Sequence, residues 1–597
     1  MKEKIMIKNL KSAMALAISL CLGAQGCSTG EQAKHSASDQ AAVSEHQFAY
    51  QDDYLTRNIQ DDIFYFVLPD RFNNGDKSND MGSTTDAISR GGLDPADKAM
   101  YHGGDIRGLE QKLPYIKQMG VTAIWLTPIL RNQAVQGDVS GYHGYWVLDF
   151  TQIDPHLGSN ADLKSLIDSA HDMGLKVFFD IITNHTADVI KYTECHGQDG
   201  SGWSTPQNVC TYKSLAQMAA GDQYTTVIPP ASAKVKTPAW LNDPKYYHNQ
   251  GDTTYQGENS IYGDFQGLDD VNTDDPRVVK GMIEIFNNLV TEFKPDGFRV
   301  DTVKHVNMAF WTQFAPAVIN HAKQQGIPNF FMFGEVYSGD ADVLSSFTTT
   351  GNIPSVLDFG FQGAVYESMV DTQGTNRLKA LFDRDKKYLD QDSNADQLLN
   401  FIGNHDMGRF GFFLQDKFAN MSEEEQVRRS KLAHALMFFA RGIPVIYYGD
   451  EQGFVGDGGN HDSRQDMMPS KVASYIDDKL IGSSKSTAQD NFDQSHPLYQ
   501  AFKQYADIYR ANYGLRYGQH QTFYADDEPG IYGFSRTVAN SDENYTIVFN
   551  TAVKSKSITL PAIKGHYQAV YGEEGVNFNA ASKILTVPAL SFAIYRQ

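Results

Sequence analysis

Cysteine and basic residues are scarce in this sequence, and it contains no long apolar run. Four of the 597 residues are Cys, and the 72 Asp and Glu outnumber the 51 Lys and Arg, giving a formal net charge of -21. This acidic balance argues against nucleic-acid binding, which needs a basic surface to engage phosphates. The lack of any Cys-x-x-Cys pattern argues against a zinc site. The apolar run at residues 13–22 is too short to span a bilayer.

Residues 1–27 have the pattern of a secretory signal, so we expect an exported protein. Four lysines precede the apolar run, and small residues and then Cys27 follow it. The Ala24–Cys27 segment also resembles a bacterial lipoprotein cleavage box. Lipidation of Cys27 and plain export with cleavage nearby therefore both stay open, and the expected location is secreted, periplasmic or lipid-anchored to the outer membrane. Residues 28–51 are rich in Ser, Ala, Gln and Glu and predict a flexible tether.

Short apolar strands alternate with amphipathic helices over about 400 residues of the remaining chain. Helices are predicted at residues 109–119, 163–173 and 278–293. Strands are predicted at residues 63–68, 121–126, 176–180, 297–300, 330–333, 356–359, 398–402 and 444–447. This alternation predicts an α/β fold built as a (β/α)8 TIM barrel, formed by residues 52–184 and 263–510.

Two segments depart from the barrel pattern. Residues 185–262 hold many Gly, Thr and Asn and no clear helix, and they predict an inserted domain. This insertion contains Cys195 and Cys210, the two cysteines that remain when those of the signal segment are set aside. An even number of cysteines in an exported chain predicts one disulfide. Residues 511–597 alternate apolar and polar positions and predict a C-terminal antiparallel β-sandwich.

Polar side chains cluster where four predicted strands end. The clusters span residues 180–185, 297–305, 333–335 and 401–406, and they supply carboxylates, histidines and an arginine. In a barrel the carboxyl ends of the strands form one face, where active sites lie. A single Asp after a strand is more often a helix cap or turn former. The coincidence at four strand ends favours a catalytic pocket.

Three carboxylates in one pocket are typical of glycoside hydrolysis, which needs a protonated acid and an ionised partner. Arg299 precedes Asp301 by two positions, so on a strand their side chains share a face, and the guanidinium is expected to keep Asp301 ionised. Glu335 lies between Phe333 and Val336, and this apolar setting is expected to raise the pKa of Glu335, as an acid requires.

Seven blocks of this sequence resemble the α-amylase family, glycoside hydrolase family 13, over residues 60–460. They are the four strand-end clusters and the residues 142–146, 268–272 and 442–449. The resemblance implies a barrel with an inserted domain B and a C-terminal β domain. It also implies that Asp301 is the nucleophile, Glu335 the general acid/base and Asp406 the transition-state stabiliser of a retaining α-amylase.

The same resemblance implies further site residues. Arg299 would orient Asp301, Tyr145 would stack on the sugar, and the other substrate-binding residues would be His143, Trp146, His185, Lys304, His305 and His405. One calcium ion would be held by Asn184, Asp270 and the backbone carbonyl of His305, because calcium prefers oxygen ligands. A second calcium site, similar to that of cyclodextrin glucanotransferases, would use Asn74, Asp76, Asn79, Asp80, the Gly103 carbonyl and Asp105.

Several activities within the family share these residues, and the alternatives stay open. Starch and maltooligosaccharides are the expected substrates, and a monomer is the expected state. A transglycosylase such as cyclodextrin glucanotransferase is the first alternative, although those enzymes carry two more domains and their central aromatic falls here at Gln266, beside Phe265. Cyclomaltodextrinase is the second, although it carries an N-terminal β domain. A non-catalytic glucan-binding protein is disfavoured because all three carboxylates are present.

Overall fold

The computed structural model describes residues 50–597 apart from 201, 203–208, 419, 540, 542 and 564. The predicted signal segment, Cys27 and the predicted tether up to residue 49 lie outside the described residues. Within the described part of the chain, no helix combines the length and apolar character needed to cross a membrane.

Eight parallel strands form the central sheet, in the spatial order β6-β5-β4-β3-β2-β1-β8-β7. They are β1 (Phe64–Val67), β2 (Ala123–Leu126), β3 (Lys176–Ile181), β4 (Gly297–Val300), β5 (Phe331–Gly334), β6 (Ser355–Val356), β7 (Leu399–Asn400) and β8 (Ile443–Tyr447). A parallel bridge between Leu357 and Leu399 joins β6 to β7 and closes the barrel. Every strand residue is buried, which explains the near-continuous apolar runs.

Helices surround these strands and confirm the predicted barrel. They are α1 (Ile106–Gln118), α2 (Asn160–Asp172), α3 (Pro276–Phe293), α4 (Met308–Gln324), α5 (Ala341–Thr349), α6 (Phe359–Val365), α7 (Asn376–Phe382), α8 (Phe410–Lys417), α9 (Glu423–Phe439) and α10 (Pro497–Ala511). Strand β6 is shorter than predicted because Asp358 accepts a hydrogen bond from the Phe361 N–H and caps α6. The predicted strand residue Phe359 is therefore helical.

The segment between β3 and α3 forms the insertion. Its base is a pair of two-residue antiparallel strands, His185–Thr186 with Asp269–Asp270, a pairing that lies beyond the predicted end at residue 262. A disulfide joins Cys195 to Cys210. Three short helices that the sequence did not indicate occur at Thr193–His196, Leu215–Ala219 and Asn259–Tyr262.

The C-terminal region consists of two antiparallel sheets, as predicted. The strands are β9 (Gln519–Ala525), β10 (Ile531–Thr537), β11 (Tyr545–Asn550), β12 (Lys556–Thr559), β13 (Gln568–Gly572), β14 (Asn577–Asn579), β15 (Ile584–Val587) and β16 (Ser591–Arg596). One sheet has the order β9-β10-β11-β16-β13, and the other has the order β12-β15-β14. Apolar side chains from both sheets, including Ile531, Val548, Leu585 and Val587, pack into one buried cluster between them.

Candidate active site

One buried arginine, Arg299 on β4, contacts carboxylates from three adjacent strands. Its Nη1 donates at 2.7 Å both to Asp301 Oδ1 and to Asp180 Oδ1, and its Nη2 lies 3.0 Å from Glu335 Oε2. The parallel register explains this convergence, because Arg299 pairs with Asp180 on β3 and Glu335 directly follows β5. Arg299 therefore fixes the relative positions of three acidic side chains.

The charge state of Asp301 reflects several opposing influences. Burial raises the pKa of Asp301, Arg299 lowers it, and the carboxylates of Glu335 and Asp180 raise it further, so that the pKa lies well above the ordinary value. The sequence-based expectation counted Arg299 alone. Arg299 also contacts the carboxylates of Asp180 and Glu335. It therefore lowers the pKa of Asp301 less than an arginine paired with Asp301 alone would.

The environment of Glu335 differs from the expected apolar pocket. Its Oε2 faces Arg299 and also accepts a hydrogen bond of 3.1 Å from the Thr302 N–H. The expectation was wrong because it used the sequence neighbours Phe333 and Val336. Neighbours on an adjacent parallel strand, here β4, lie closer to a side chain that follows β5.

Asp406 is the most open of the three predicted catalytic carboxylates. Its side chain is 35% exposed, whereas those of Asp301 and Glu335 are 9% and 10% exposed. Arg464 Nη2 donates to Asp406 Oδ1 at 3.1 Å, and the backbone N–H of Asp406 donates to Asn404 Oδ1. Asp406 thus reaches the pocket from a turn that other side chains hold in place.

Tyr145 and the predicted histidines line the pocket beside these carboxylates. The Tyr145 hydroxyl lies 3.2 Å from Asp180 Oδ2 and 2.9 Å from His405 Nε2, and its ring is parallel to the His405 ring. His143 Nδ1 accepts a hydrogen bond from the Tyr145 N–H, and its ring packs edge-on against Trp146. Burial, together with nearby arginines, holds the pKa of His405 well below its usual value, so this ring is neutral.

On the side of the insertion, Phe265 lies between two predicted substrate-binding histidines. Its ring is parallel to the His185 ring at 5.8 Å and packs edge-on against His305 at 5.2 Å. Gln266, the position assigned from sequence, has a left-handed backbone, with φ of 55°. The pocket therefore has an aromatic side chain at Phe265. Lys304, in the turn Val303–His305 after β4, donates from Nζ to the Tyr337 carbonyl of the loop after β5.

Buried oxygen atoms at the base of the insertion fit a calcium ion. Asn184 Oδ1 is buried and has no hydrogen-bond partner among the described residues. Asp270, on the strand paired with His185–Thr186, is buried and contacts His248 Nδ1 at 2.5 Å. His305 is held next to the insertion because its Nδ1 lies 2.7 Å from the Ser260 carbonyl oxygen. This donor set is oxygen-rich, as calcium requires.

The residues predicted for a second calcium site also lie together. Asn74 Nδ2 donates to Asp80 Oδ1, and Asn74 Oδ1 and Asn79 Oδ1 are buried without partners in the described part of the chain. A Cβ atom on Gly103 would come within 2.8 Å of the Asn74 side chain. Two of the predicted carboxylates have other partners. Asp76 pairs with Arg107, and Asp105 caps α1 and accepts from the Asp76 N–H.

Sequence reasoning missed Arg464 as a site residue. This side chain follows β8 by 17 positions, yet it donates to the His405 carbonyl, to Asp406 and to Tyr142. No local pattern marks it, because its approach to β7 depends on the path of the loop after β8. Asp180 lies in one of the strand-end clusters noted in the sequence, where it was assigned no role. Its contact with Arg299 shows that it helps to hold that guanidinium in place.

The chain resembles several known proteins over most of its length. A family model for the alpha-amylase catalytic domain matches residues 66–497. An alpha-amylase of Streptomyces lividans is 44% identical over 526 residues, covering 85% of this chain and 57% of the relative. A beta/alpha-amylase of Paenibacillus polymyxa is 30% identical over 499 residues, covering 82% of this chain and 33% of the relative. The chain thus spans little more than half of the first relative's length.

Solved structures agree with the family model. An Anoxybacillus alpha-amylase has a TM-score of 0.67 at 27% identity, covering 90% of this chain and 98% of its own. A cyclomaltodextrin glucanotransferase with a three-domain ABC distribution also has a TM-score of 0.67, at 26% identity, covering 89% and 98%. That glucanotransferase has three domains. The expectation that cyclodextrin glucanotransferases carry two more domains than this chain therefore does not separate α-amylase from glucanotransferase activity. On the family model and the extent of these matches, this chain belongs to the alpha-amylase family.

Proposed function

We propose that this protein is an endo-acting α-amylase that hydrolyses α-1,4-glucosidic bonds of starch and maltooligosaccharides with retention of configuration. The observation that carries the proposal is the contact of one guanidinium, that of Arg299, with both Asp301 and Glu335. This arrangement holds two carboxyl groups close together in one pocket, as a double-displacement glycosidase requires. The similarity to the alpha-amylase of Streptomyces lividans supports the substrate class.

In the proposed first step, Asp301 attacks the anomeric carbon while Glu335 donates its proton to the glycosidic oxygen. The carbon–oxygen bond breaks, the leaving glucan departs as an alcohol, and a covalent glycosyl ester forms on Asp301. In the second step, Glu335 removes a proton from water, which attacks the ester and restores both carboxyl groups. Asp406, with its more exposed side chain, would stabilise the positive charge that develops on the sugar.

Neutral donors and aromatic rings would position the sugar for this attack. His405 and His185 would bond its hydroxyl groups, and burial lowers the pKa of His185 to about 3, so both rings remain neutral. Tyr145 would stack on the sugar ring that is cleaved. On the leaving side, Lys304 and His305 would contact the departing glucan.

Calcium would stabilise the contact between the barrel and the insertion. Asn184, Asp270 and the carbonyl of His305 would hold one ion, and the Asn74–Asp80 loop with Gly103 and Asp105 would hold a second. Bound calcium would supply a fixed positive charge that neutralises the buried carboxylate of Asp270. The ion is structural in this proposal and takes no part in bond cleavage. We further propose that the protein is exported and acts as a monomer, with Cys27 as a lipidation site.

Transglycosylation is the second candidate function, and Phe265 is the observation that favours it. An aromatic ring placed between His185 and His305 would bind a sugar acceptor and exclude water from the intermediate. The similarity to a three-domain cyclomaltodextrin glucanotransferase adds support.

Product analysis separates these candidates. The protein, digested with soluble starch in the presence of calcium, is expected to release linear maltooligosaccharides, with an early fall in iodine staining and α-anomeric products in proton NMR. Cyclic products, or oligosaccharides longer than a supplied maltotriose, would assign the chain to the transglycosylases. No cleavage under these conditions would refute the enzymatic proposal, and a fully active Asp301→Asn variant would refute the proposed nucleophile.

A further inference from the structure

A groove of about 790 Å³ separates the barrel from the C-terminal domain, outside the active site. Helices α9 and α10 form one wall, and residues 571, 573, 574, 588 and 589 of the C-terminal domain form the other. None of the residues assigned above to catalysis, sugar binding or calcium lines it. We call this feature the interdomain groove.

Tyr571, at the end of β13, contributes a half-buried aromatic ring to the interdomain groove. One face of this ring lies on the fully buried Phe592 ring, at 4.5 Å and an interplanar angle of 20°. The edge of the ring meets Tyr505 of α10 at 6.3 Å. The register between β13 and β16 shifts between Ala569 and Tyr571, and a bulge of this kind redirects a side chain. Tyr571 is therefore a rigid aromatic platform that faces the barrel.

The remaining lining of the interdomain groove is polar and carries more acidic than basic groups. Four glutamates face two basic side chains, those of Arg428 and Lys431. Arg428 pairs with Glu424 along α9. Burial raises the pKa of Glu573, and Lys431 and Arg428 lie near enough to lower it. No direct ion pair joins the side chains of Glu573, Glu574 and Lys431 in the described part of the chain. They remain available for a ligand.

This combination selects a neutral ligand rich in hydroxyl groups. An acidic lining disfavours phosphates and nucleic acids, and the charged side chains of the groove disfavour an apolar ligand. A sugar ring, in contrast, stacks its carbon–hydrogen face on an aromatic ring while its hydroxyls bond carboxylates and ammonium groups. We infer that the interdomain groove is a second α-glucan-binding site, which holds a starch chain while the active site cleaves another. This inference rests on the proposed function for the substrate class.

Adsorption of the full chain to granular starch tests this inference. Tyr571→Ala and, separately, Lys431→Ala are expected to weaken the adsorption constant about three- to tenfold, as one lost stacking or charged contact would. Tyr524→Ala is the matched control, because Tyr524 is an exposed tyrosine on β9 and does not line the interdomain groove. Thermal unfolding of each variant shows whether the fold is intact, and Lys431→Ala preserves the packing of Tyr571 on Phe592.

The outcomes of this test are distinct from those of the product analysis. If both groove variants adsorb as strongly as Tyr524→Ala, the second site is refuted even when starch hydrolysis is normal. If the unaltered protein cleaves no α-glucan, the proposed function is refuted instead. Weaker adsorption of Lys431→Ala with an unchanged unfolding temperature would support the second site.

Discussion

Arg464 donates a hydrogen bond of 3.1 Å to Asp406, which connects the loop after β8 to the turn after β7. The same guanidinium donates to the His405 carbonyl at 3.0 Å and to the Tyr142 hydroxyl at 3.1 Å. The neutral His405 ring also lies near this carboxylate, with its Nε2 3.4 Å from Asp406 Oδ2. Because Arg464 carries a charge and donates directly to the other carboxylate oxygen, we expect it to be the main determinant of where the Asp406 carboxylate lies.

Replacing Arg464 by Lys should lower kcat on maltooligosaccharides about 10- to 100-fold, the effect of losing a charge-assisted hydrogen bond of about 1.5–3 kcal/mol. Lysine keeps the charge but lacks the planar fork that reaches His405 and Asp406 together. The measurement is kcat and KM with maltoheptaose. Arg377→Ala, at an exposed arginine, is the control. A variant with unchanged kcat would show that Asp406 needs no positioning by Arg464.

The fall of kcat/KM at low pH, the acid limb of the pH profile, should reflect protonation of Asp301. Burial and the carboxylates of Glu335 and Asp180 raise the pKa of Asp301, so the ionised nucleophile should be lost at a pH above the ordinary carboxyl range near 4. Burial raises the pKa of Asp180 itself to about 7; Asp180→Asn removes this carboxyl group and its competition with Asp301 for Arg299 Nη1. We expect the acid limb of kcat/KM for this variant to move to lower pH.

Asp385→Asn is the control for that profile, because Asp385 pairs with Arg441, which precedes β8 at the opposite end of the barrel. Its acid limb should coincide with that of the unaltered protein. An acid limb of Asp180→Asn that stays in place, or moves to higher pH, would contradict the assignment of the limb to Asp301.

Removal of calcium should lower the thermal stability of the protein. Calcium at 100 times its Kd would stabilise the folded chain by about 2.7 kcal/mol. We expect EDTA to lower the unfolding temperature and added calcium, but not magnesium, to restore it. Asn184→Ala should reduce this response to the part due to the second site, because it removes a buried oxygen from the first site, whereas Asn184→Asp keeps an oxygen and should retain the full response. Equal responses of both variants would place the ion elsewhere.

The barrel could be predicted from sequence because its strands are buried on both faces and read as apolar runs. The largest errors were at β6 and β7, which have two residues each. There, local capping competes with strand pairing, as Asp358 shows by starting α6 directly after β6. An apolar run therefore predicts that a strand is present more reliably than it predicts where the strand ends.

From barrel geometry alone, the candidate site could be predicted where its residues lie near strand ends, whereas His143, Tyr145 and Trp146 were predicted from the family resemblance. Asp301 and Glu335 follow β4 and β5 directly, and the His405–Asp406 pair lies in the turn that follows β7, so barrel geometry brings them together. The surroundings of Glu335 could not be predicted, since they depend on the register between β4 and β5. Arg464 and Phe265 reach the pocket from loops whose paths depend on tertiary packing, and neither has a local pattern that marks it.

Glu451, which follows β8, should make the stability of the fold depend on pH. Its fully buried carboxyl accepts hydrogen bonds from the hydroxyls of Tyr65 and Tyr115 and from the Gly449 N–H. Burial raises the pKa of Glu451 from 4.5 to about 7. Between these values the folded chain holds a proton that the unfolded chain releases, so this group makes the free energy of unfolding fall as pH rises.

Replacing Glu451 by Gln removes this titration and isolates its contribution. Urea unfolding at pH 5 and pH 8 should show the variant gaining stability relative to the unaltered protein at the higher pH, by up to about 3 kcal/mol. The absolute stability at pH 5 should fall, because the amide group would face the Gly449 N–H, and the comparison therefore uses the change between the two pH values. Glu284→Gln, at an exposed carboxylate on α3, should show no such change. The difference in free energy of unfolding between Glu451→Gln and the unaltered protein could instead be the same at both pH values. Glu451 would then not titrate between pH 5 and pH 8. Its carboxylate would remain ionised in the core, because the three hydrogen-bond donors outweigh the effect of burial.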